Sequence, residues 1–290
     1  MKRRTFISLM SVMAAAGVLS LAGCSSNTSA STASSTAASA SAAAANKLET
    51  IQSNGKLVIA LEGAWQPWSF HDESDTLVGY DVEVSRAIAE KLGVEPEYVE
   101  SDWDSLFAGL DAGRYDLVCN GVEVTEERAK TYDFTTPYGY IHTALAVRKD
   151  NDDIKSVDDL ADKNVAVQSG SNGPAILEEF APKASQQEFK TDEEARQALQ
   201  QGRVDAYVID NNMQQSALVR EPGKYKIAGK PFGNKEPYGI GLPLDSDGVA
   251  FVNDFLKKIE DDGTWTELWQ ICIGDRTGDT NVPELPEVGA

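Results

Sequence analysis

One arginine in this chain stands where helix physics does not favour it. In the segment V-T-E-E-R-A-K-T-Y-D-F-T-T-P at residues 124–137, Thr125 is a good helix N-cap, and Glu126 and Glu127 suit the positive end of the helix dipole. Arg128 at the third helical position opposes that dipole by up to about 1 kcal/mol, so another contact must explain it. An anionic ligand would do so, and so would an acidic neighbour on a solvated face. The acidic neighbours are Glu123, Glu127 and Asp133.

A polar loop and a single aspartate are further candidates for binding chemistry. The loop S-G-S-N-G-P at residues 169–174 ends with a proline in the first turn of a predicted helix. With Asn172 or Gly173 as the cap, backbone N–H groups there can receive an anion. An ordinary helix cap has the same pattern. Asp210 ends the apolar run at residues 206–209 and is suited either to bind a cation or to form a turn.

Alternating strand and helix patterns must position these residues. Val84, Ile88 and Leu92 recur every four residues, which predicts a helix that Asp81 caps and Gly93 ends. Other predicted helices span residues 104–112, 174–180, 193–200, 249–260 and 264–270, the last with a capping box, Thr264-x-x-Glu267. Predicted strands span residues 57–61, 97–99, 116–119, 165–167 and 204–209. This alternation is typical of an α/β fold with parallel sheets.

The two halves of the chain share a short sequence echo. Residues 110–116 and 199–205 both have the pattern L-x-x-G-R-x-D, at matching places in the order of strands and helices. We therefore predict two similar lobes, each a mainly parallel sheet flanked by helices, joined by chain crossings at residues 142–148 and 237–242. Ligands bind beyond the carboxyl ends of strands in such sheets, so the facing lobes define a cleft.

Several separated segments resemble one protein family. They are Leu77-Val-Gly-Tyr-Asp-Val-Glu83, residues 103–116, Asp116-Leu-Val-Cys-Asn-Gly121 with residues 124–138, and Asp262-Gly-Thr-Trp265. In this order, from about residue 57 to residue 274, they resemble the family-3 extracellular solute-binding proteins, the polar amino-acid receptors of ABC importers. The resemblance implies a two-lobed, periplasmic-binding-protein-like α/β fold that captures an α-amino acid and delivers it to a membrane permease. It implies a receptor and not an enzyme.

The resemblance assigns roles to the polar residues of the cleft. Arg128 matches the arginine that binds the ligand carboxylate, a task that suits its planar fork. Asp210 matches the aspartate that binds the ligand ammonium. Ser171 and Asn172 stand at the contacting positions of the second lobe.

Three residues of the first lobe stand where the family offers backbone and hydroxyl donors to the ligand. They are Asn120, Gly121 and Glu123. Glu123 departs from the usual Ser or Thr, and it either orients Arg128 or meets the ligand amine. The resemblance therefore implies no hydroxyl contact at this position.

Aromatic residues after the first strand resemble the family's flat surface for the ligand side chain. These are Trp65, Trp68 and Phe70, with Trp103 and Tyr138 as further candidates, and each has the core as its alternative. Glu62 falls where some members contact the far end of a cationic ligand. The tryptophans favour a neutral polar or aromatic amino acid, or cystine, whereas Glu62 leaves a basic one open.

The N-terminus resembles a lipoprotein leader. Three basic residues precede a mostly apolar run, and Leu21-Ala-Gly-Cys24 resembles the lipoprotein box, in which Cys24 is lipidated and becomes the mature N-terminus. We therefore predict a signal peptide at residues 1–24 and a flexible Ser/Ala/Thr tether at residues 25–46. The protein would be extracytoplasmic and anchored to the cell membrane through Cys24. Export by the general or the twin-arginine route stays open.

Composition limits the partners of the mature chain. Without the three basic residues of the leader, 23 Lys and Arg face 46 Asp and Glu, a net charge near −23. Such a surface repels nucleic acid and anionic lipid. We predict a monomer with lobe 1 at residues 47–143 and 240–275, lobe 2 at residues 144–239, and an acidic tail at residues 276–290 that trails as coil. Cys119 and Cys272 either pair or stay buried thiols.

An enzyme on the same scaffold, similar to prephenate-type dehydratases, is the main alternative to a receptor. It would need a matched acid and base in the cleft, for which Glu62 and Glu123 are candidates. His71 and His142 have no ligand-spaced neighbours, so we predict no metal site, and no cofactor either. A second alternative is an amino-acid sensor that reports to a membrane kinase.

Overall fold

The computed structural model describes residues 47–278. Its helices are α1 (Lys47–Asn54), α2 (Tyr80–Leu92), α3 (Trp103–Asp111), α4 (Gly173–Phe180), α5 (Asp192–Gln200), α6 (Asn211–Arg220), α7 (Gly248–Asp261), α8 (Thr264–Trp269) and α9 (Asp275–Thr277). Short 3₁₀ turns lie at Arg128–Lys130 and Val157–Leu160, and a π-helical turn at Gln270–Gly274.

The strands are β1 (Lys56–Leu61), β2 (Ala64–Trp65), β3 (Ser69–His71), β4 (Leu77–Val78), β5 (Glu95–Glu100), β6 (Leu117–Glu123), β7 (Tyr132–Phe134), β8 (Gly139–Arg148), β9 (Asn164–Gln168), β10 (Ser185–Phe189), β11 (Ala206–Asp210), β12 (Tyr225–Ile227) and β13 (Phe232–Pro243). The five predicted strands are present as β1, β5, β6, β9 and β11, and the described chain has eight strands that were not predicted.

Ten of the described strands form one mixed sheet. Its order is β10-β9-β11-β8-β13-β6-β1-β5, with β12 beside β8 and β7 beside β13. Strand β1 is parallel to β5 and β6, and β9 is parallel to β10 and β11, so each end of the sheet is a parallel unit. Between these units the long strands β8 and β13 pair antiparallel, and they contain both predicted crossings. The predicted two-lobed α/β fold is confirmed, whereas the exact lobe boundaries stay a prediction.

The buried apolar residues form separate clusters in the two halves of the sheet, except that Met213 of α6 belongs to the main cluster of the first half. In the first half, Ile59 of β1, Ile88 of α2 and Trp265 of α8 belong to one cluster. In the second half, Val165 of β9 and Leu177 of α4 belong to another. Separate cores are what a two-lobed molecule requires, because each lobe must bury enough apolar surface to be stable by itself.

The helix predicted from the spacing of Val84, Ile88 and Leu92 is confirmed as α2. Val84 and Ile88 are fully buried, Leu92 is nearly so, and Gly93 ends the helix in the left-handed conformation. This glycine has a φ of 75°, which a residue without a Cβ adopts at no steric cost.

Two predicted helix caps are wrong. Gly79 precedes α2, and Asp81 is instead a fully buried residue of the first turn. Gly263 caps α8, so Thr264 does not form the predicted capping box. Both errors arose because a capping side chain was inferred where a glycine with positive φ turns the chain into the helix.

The sequence echo corresponds to a repeated structural device. Asp116 accepts a hydrogen bond from the Val58 N–H in β1 at 2.9 Å, and Asp205 accepts one from the Asn164 N–H in β9 at 2.9 Å. The glycine in each copy has a positive φ, 65° and 71°. Each copy thus ends a helix at its glycine and uses its aspartate to fasten the next strand to the first strand of its lobe.

The predicted C-terminal tail begins later than expected. Arg276 and Thr277 belong to α9, and the Arg276 guanidinium lies 4.9 Å from the centre of the Phe70 ring. The prediction that residues from 276 onward trail as coil is therefore wrong for the first of them. The signal peptide, Cys24 and the tether lie outside the described residues, as do residues 279–290.

Both cysteines of the described chain are buried and unpaired. Cys119 and Cys272 are therefore the buried thiols of the second alternative and not a disulfide. No helix between residues 47 and 278 combines the length and the apolar character needed to span a bilayer.

Candidate ligand-binding site

A cavity lies between the two halves of the sheet, at the carboxyl ends of β6, β9 and β11. Its volume is about 50 Å³. The predicted site residues that line it are Trp65, Glu123, Ser171 and Asp210. The other lining residues are Ile141, Thr143, Gln168, Gly173, Ile176, Val208 and Ile209. Charged groups and aliphatic side chains thus line the same partly open cavity.

Arg128 lies in a 3₁₀ turn and not in an α-helix. The N-cap of this turn is Glu127, so the prediction that Thr125 is the N-cap is wrong, although the Thr125 hydroxyl accepts the Arg128 N–H at 3.2 Å. A single turn has too small a dipole to disfavour an arginine, so the helix-dipole reason for singling out this residue is wrong. Its side-chain contacts are more informative.

The Arg128 guanidinium is paired with Glu123. Nη1 donates to the Glu123 carbonyl oxygen at 3.0 Å and to its Oε2 at 3.2 Å. The two side chains are only 19% and 13% exposed, so the pair does not lie on a solvated face. Because Glu123 lines the cavity, this contact sets the guanidinium directly beside it.

Trp103 supports Arg128 and does not itself line the cavity. The Arg128 guanidinium lies over the Trp103 ring, 5.4 Å from its centre, a cation–π distance. The Trp103 indole N–H donates to the Gly170 carbonyl oxygen at 2.8 Å, and Arg128 Nη2 donates to the same oxygen at 3.4 Å. Residues of the first half therefore hold the polar loop of the second half.

Asp210 has the turn-forming role that its position allowed, and its role in binding a cation stays a prediction. It ends β11, and its Oδ1 caps α6 by accepting the Met213 N–H at 2.8 Å. Within the described chain the buried Oδ2 of Asp210 has no partner at hydrogen-bond distance. The Trp68 indole N–H nevertheless lowers the pKa of this carboxyl group. Burial raises the pKa of Asp210 to about 7, and the negative charge of Glu123 adds to the effect. A cationic donor in the cavity would satisfy this carboxylate.

Glu62 connects the two halves through a residue that sequence reasoning missed. Its Oε1 accepts a hydrogen bond from Gln168 Nε2 at 3.1 Å, and its Oε2 accepts one from Asn120 Nδ2 at 3.0 Å. Burial raises the pKa of Glu62 to about 7. Gln168 directly follows the predicted strand at residues 165–167, so its place at the carboxyl end of a parallel strand was the available signal.

Gly121 allows Trp65 to lie against the end of β6. Its φ is 54°, and a Cβ at this position would lie 2.5 Å from the Trp65 ring. The ring is 7% exposed and forms one wall of the cavity. Asn120 is fully buried behind it, where its Oδ1 accepts the Glu62 N–H at 2.9 Å. Gly121 and Asn120 therefore shape the site without being among the lining residues.

The other aromatic candidates are core residues. Trp68 is fully buried, with its ring centre 5.1 Å from that of Tyr238. Phe70 is buried under Arg276. Tyr138, which was expected in the cleft, is fully buried and donates its hydroxyl hydrogen to Asp81 Oδ1 at 2.8 Å. Of the aromatic residues considered, Trp65 alone lines the described cavity.

The polar loop before α4 is partly self-satisfied. The Ser171 hydroxyl accepts the Gly173 N–H at 3.1 Å and donates to the Gln168 carbonyl oxygen at 2.7 Å. Pro174 has no N–H, so two positions of the first turn offer nothing to an anion. Asn172 is the N-cap but makes no side-chain capping bond. Ligand contacts from Ser171 and Asn172 stay a prediction.

Three buried carboxyl groups make the stability of this fold depend on pH. Burial raises the pKa values of Glu62, Asp81 and Asp210 to about 7 each. In the unfolded chain they titrate near pH ~4, so between about pH 4 and 7 the folded state holds more protons and stability falls as pH rises. We expect the Tm of the unliganded protein to be higher at pH 5.5 than at pH 7.5, with a smaller difference in Asp210→Asn. Thermal melts at constant ionic strength test this, and a Tm that increases over the same range would contradict it.

The sequence matches the family model of bacterial extracellular solute-binding proteins, family 3, over residues 57–274. That range contains almost all of the described fold, including every residue of the cavity. The chain belongs to this family.

Relatives of this solute-binding protein include the L-cystine-binding protein TcyJ of Escherichia coli (strain K12). It is 32% identical over 229 residues, which cover 78% of this chain and 86% of that protein. The solved structure of the amino acid ABC transporter substrate-binding protein AbpA from Streptococcus pneumoniae, bound to L-arginine, is 29% identical. It covers 79% of this chain and 99% of its own, with a TM-score of 0.73.

A second solved structure bears on the enzyme alternative. It is an ancestral amino acid-binding protein described as a precursor of cyclohexadienyl dehydratase, 33% identical, with a TM-score of 0.71 over 78% of this chain and 98% of its own. It too is a binding protein, as are the relatives above. Between residues 47 and 278, no three His, Cys, Asp or Glu side chains are grouped so that they could hold a metal ion.

Proposed function

We propose that this solute-binding protein is the extracellular substrate-binding component of an ABC amino-acid importer. It holds one α-amino acid between its lobes and delivers it to a membrane permease. The charge arrangement of the cavity carries this proposal: the buried Asp210 carboxylate lines the cavity, and the Arg128 guanidinium lies beside it, paired with the lining residue Glu123. A zwitterion needs this combination of one anionic and one cationic partner.

Each half contributes one end of the ligand site. Arg128 receives the ligand carboxylate, where its fork can form two parallel hydrogen bonds. Asp210 receives the ammonium. Trp65 forms the wall for the side chain, and Ser171, with Asn172, completes the polar rim. No residue is given a catalytic role, because the cavity contains no nucleophile paired with a base.

The two lobes close on the ligand and capture it. Lobe 1 comprises residues 47–143 and 240–275, and lobe 2 comprises residues 144–239. Contacts between the halves support this motion. Glu62 accepts a hydrogen bond from Gln168, and Trp103 donates one to Gly170. Arg128 donates to the same Gly170 carbonyl oxygen, and all three hydrogen bonds must break when the lobes part about β8 and β13.

Capture at the membrane would use a lipid anchor. The signal peptide ends at Cys24, whose lipidated form holds a monomeric protein on the outer face of the cell membrane. The tether at residues 25–46 would reach roughly 75 Å when fully extended. That length allows a receptor to search for its permease without leaving the membrane.

The anchor makes a simple prediction about location. Cys24→Ser removes the thiol that would be lipidated, so we expect the protein either to remain unprocessed or to appear in the medium. Cell fractionation and mass spectrometry of the mature N-terminus provide the measurement. A correctly cleaved Cys24→Ser protein that stays in the membrane fraction would sink the lipoprotein assignment.

A ligand screen tests the proposed function itself. A ligand at 100 times its dissociation constant adds about 2.7 kcal/mol to stability, which a thermal melt detects. We expect at least one of the standard amino acids or cystine to raise the Tm of the mature protein at pH 7.5, and calorimetry to give one site per chain. Incubation with prephenate tests the dehydratase alternative, which predicts that the protein converts this compound. Unchanged melting with every amino acid would contradict the proposal.

A further inference from the structure

In the structure, the side chain of Glu123 occupies the arginine that is proposed to receive the ligand carboxylate. Glu123 lines the cavity, whereas Arg128 is not among the described residues that line it. Arg128 Nη1 donates to the Glu123 carbonyl oxygen at 3.0 Å and to its Oε2 at 3.2 Å. Nη2 donates to the Gly170 carbonyl oxygen at 3.4 Å. Both terminal nitrogens of the guanidinium thus already have acceptors from the chain itself.

The Glu123 carboxylate has the same chemistry as the group that Arg128 would bind in a ligand. The pair is mostly removed from water, with the two side chains 19% and 13% exposed. An α-amino acid in the cavity would bring a second carboxylate to the same guanidinium. Because two carboxylates at one site repel each other, the ligand carboxylate must displace Glu123 Oε2 to form two parallel hydrogen bonds through Nη1 and Nη2.

The size of the cavity also requires a rearrangement before a ligand can bind. Its volume of about 50 Å³ is well below the roughly 150 Å³ of a cavity that accepts benzene, which is about as large as a small amino acid. The lining side chains must therefore move apart, and Glu123 is one of them.

We propose that Glu123 is an internal competitor of the ligand, which holds Arg128 while the site is empty and is displaced when an amino acid binds. This inference rests on the proposed function and concerns how the same site gains and loses its ligand. In the empty protein, Glu123 keeps a mostly buried guanidinium paired and so avoids the cost of an unpaired buried charge. When the ligand leaves for the permease, Glu123 returns to Arg128, and this return offsets part of the free energy of release.

Displacement leaves the Glu123 carboxylate among acidic neighbours. The charged groups that act on it are Arg128 of the 3₁₀ turn, Asp210 of β11 and Glu236 of β13. Burial raises the pKa of Glu123, and Arg128 lowers it. Once the ligand takes Arg128, the pKa of Glu123 rises further, so binding is coupled to proton uptake at this carboxyl group. The ligand ammonium has the opposite effect on Asp210, so the uptake is measured as a difference between wild type and a Glu123 variant.

Removal of the Glu123 charge should tighten binding. Glu123→Gln keeps an oxygen that can orient Arg128 but competes less with a ligand carboxylate. We would titrate L-arginine, L-glutamine and L-cystine by calorimetry at pH 7.5. The variant should bind whichever of them the wild type prefers about tenfold more tightly. Glu123→Thr takes its place if the glutamine variant does not fold. Equal or weaker binding would overturn the inference, because removal of a residue that only orients Arg128 or meets the ligand amine gives that result.

The proton count provides a second measurement, which a purely structural role of Glu123 would not change. Titration of the same amino acid at pH 6.5 in phosphate and in imidazole buffer gives the number of protons taken up on binding. The wild type should take up more protons per site than Glu123→Gln, by a fraction that approaches about one. Equal counts in the two proteins would overturn the inference.

A matched control and a separate outcome complete the test. Glu126→Gln removes the same charge from an exposed position outside the cavity, so its affinity and proton count should equal those of the wild type. If no standard amino acid bound either the wild type or Glu123→Gln, the proposed function would itself be wrong, and this inference with it. If the wild type bound an amino acid and Glu123→Gln bound it no more tightly, only the competition by Glu123 would be wrong.

Discussion

Arg128→Ala is expected to lower the affinity for the amino-acid ligand by roughly a hundredfold to several thousandfold. This range corresponds to about 3–5 kcal/mol, the usual effect of removing one member of a desolvated ion pair. The guanidinium is 19% exposed and lies between Glu123, the Trp103 ring and the Gly170 carbonyl oxygen. Such an arrangement fixes the fork in advance, so the ligand carboxylate does not have to order it. Calorimetric titration of the folded variant gives the measurement.

The alanine variant also leaves Glu123 without its partner, and this second effect can be separated. A double variant, Arg128→Ala with Glu123→Gln, removes both charges, so it should recover thermal stability but not affinity. Arg128→Lys should recover only part of the affinity, because a point charge cannot form two parallel hydrogen bonds. Near-normal binding by folded Arg128→Ala would show that the ligand carboxylate binds elsewhere.

Asp210→Asn is expected to weaken the same ligand by about 2–5 kcal/mol, from roughly thirtyfold to several thousandfold. Asparagine keeps an oxygen that can accept the Met213 N–H, so the start of α6 should remain capped. The loss would therefore come from the missing charge opposite the ligand ammonium. Calorimetry at pH 7.5 and pH 5.5 provides the measurement. The wild type should lose affinity at the lower pH, because Asp210 with its pKa near 7 becomes protonated, whereas the variant should change less.

A second capping residue supplies the control for this variant. Thr191 caps α5 by accepting the Glu194 N–H at 3.2 Å, and it is not one of the residues that line the cavity. Thr191→Ala should cost about 1 kcal/mol of stability and leave affinity unchanged. Asp210→Asn should instead lower the affinity and leave the cap of α6 intact. Equal affinity of Asp210→Asn and the wild type would mean that Asp210 only forms the turn at the end of β11.

The sequence by itself determined the elements whose signals are local. Apolar spacing predicted the buried face of α2, and Gly93 predicted its end, because both depend only on neighbouring residues. The echo at residues 110–116 and 199–205 predicted equivalent positions in two lobes, since each copy performs the same local task of ending a helix before a strand. Motif resemblance assigned ligand-binding roles to Arg128, Asp210 and Trp65 before any geometry was known.

Only the tertiary structure decided what those residues contact. Glu62 meets Gln168 although they are 106 positions apart in the sequence, and no periodic pattern carries such a pairing. Trp68 and Tyr138 belong to the core. The sequence could not predict this, because hydrophobicity alone does not distinguish a core residue from one that lines a cavity. The pairing of Arg128 with Glu123 in a mostly buried setting likewise depends on how β6, the 3₁₀ turn and the polar loop of the other half come together. Local forces choose strands and helices, whereas the charge balance of a cavity depends on which distant strands end beside one another.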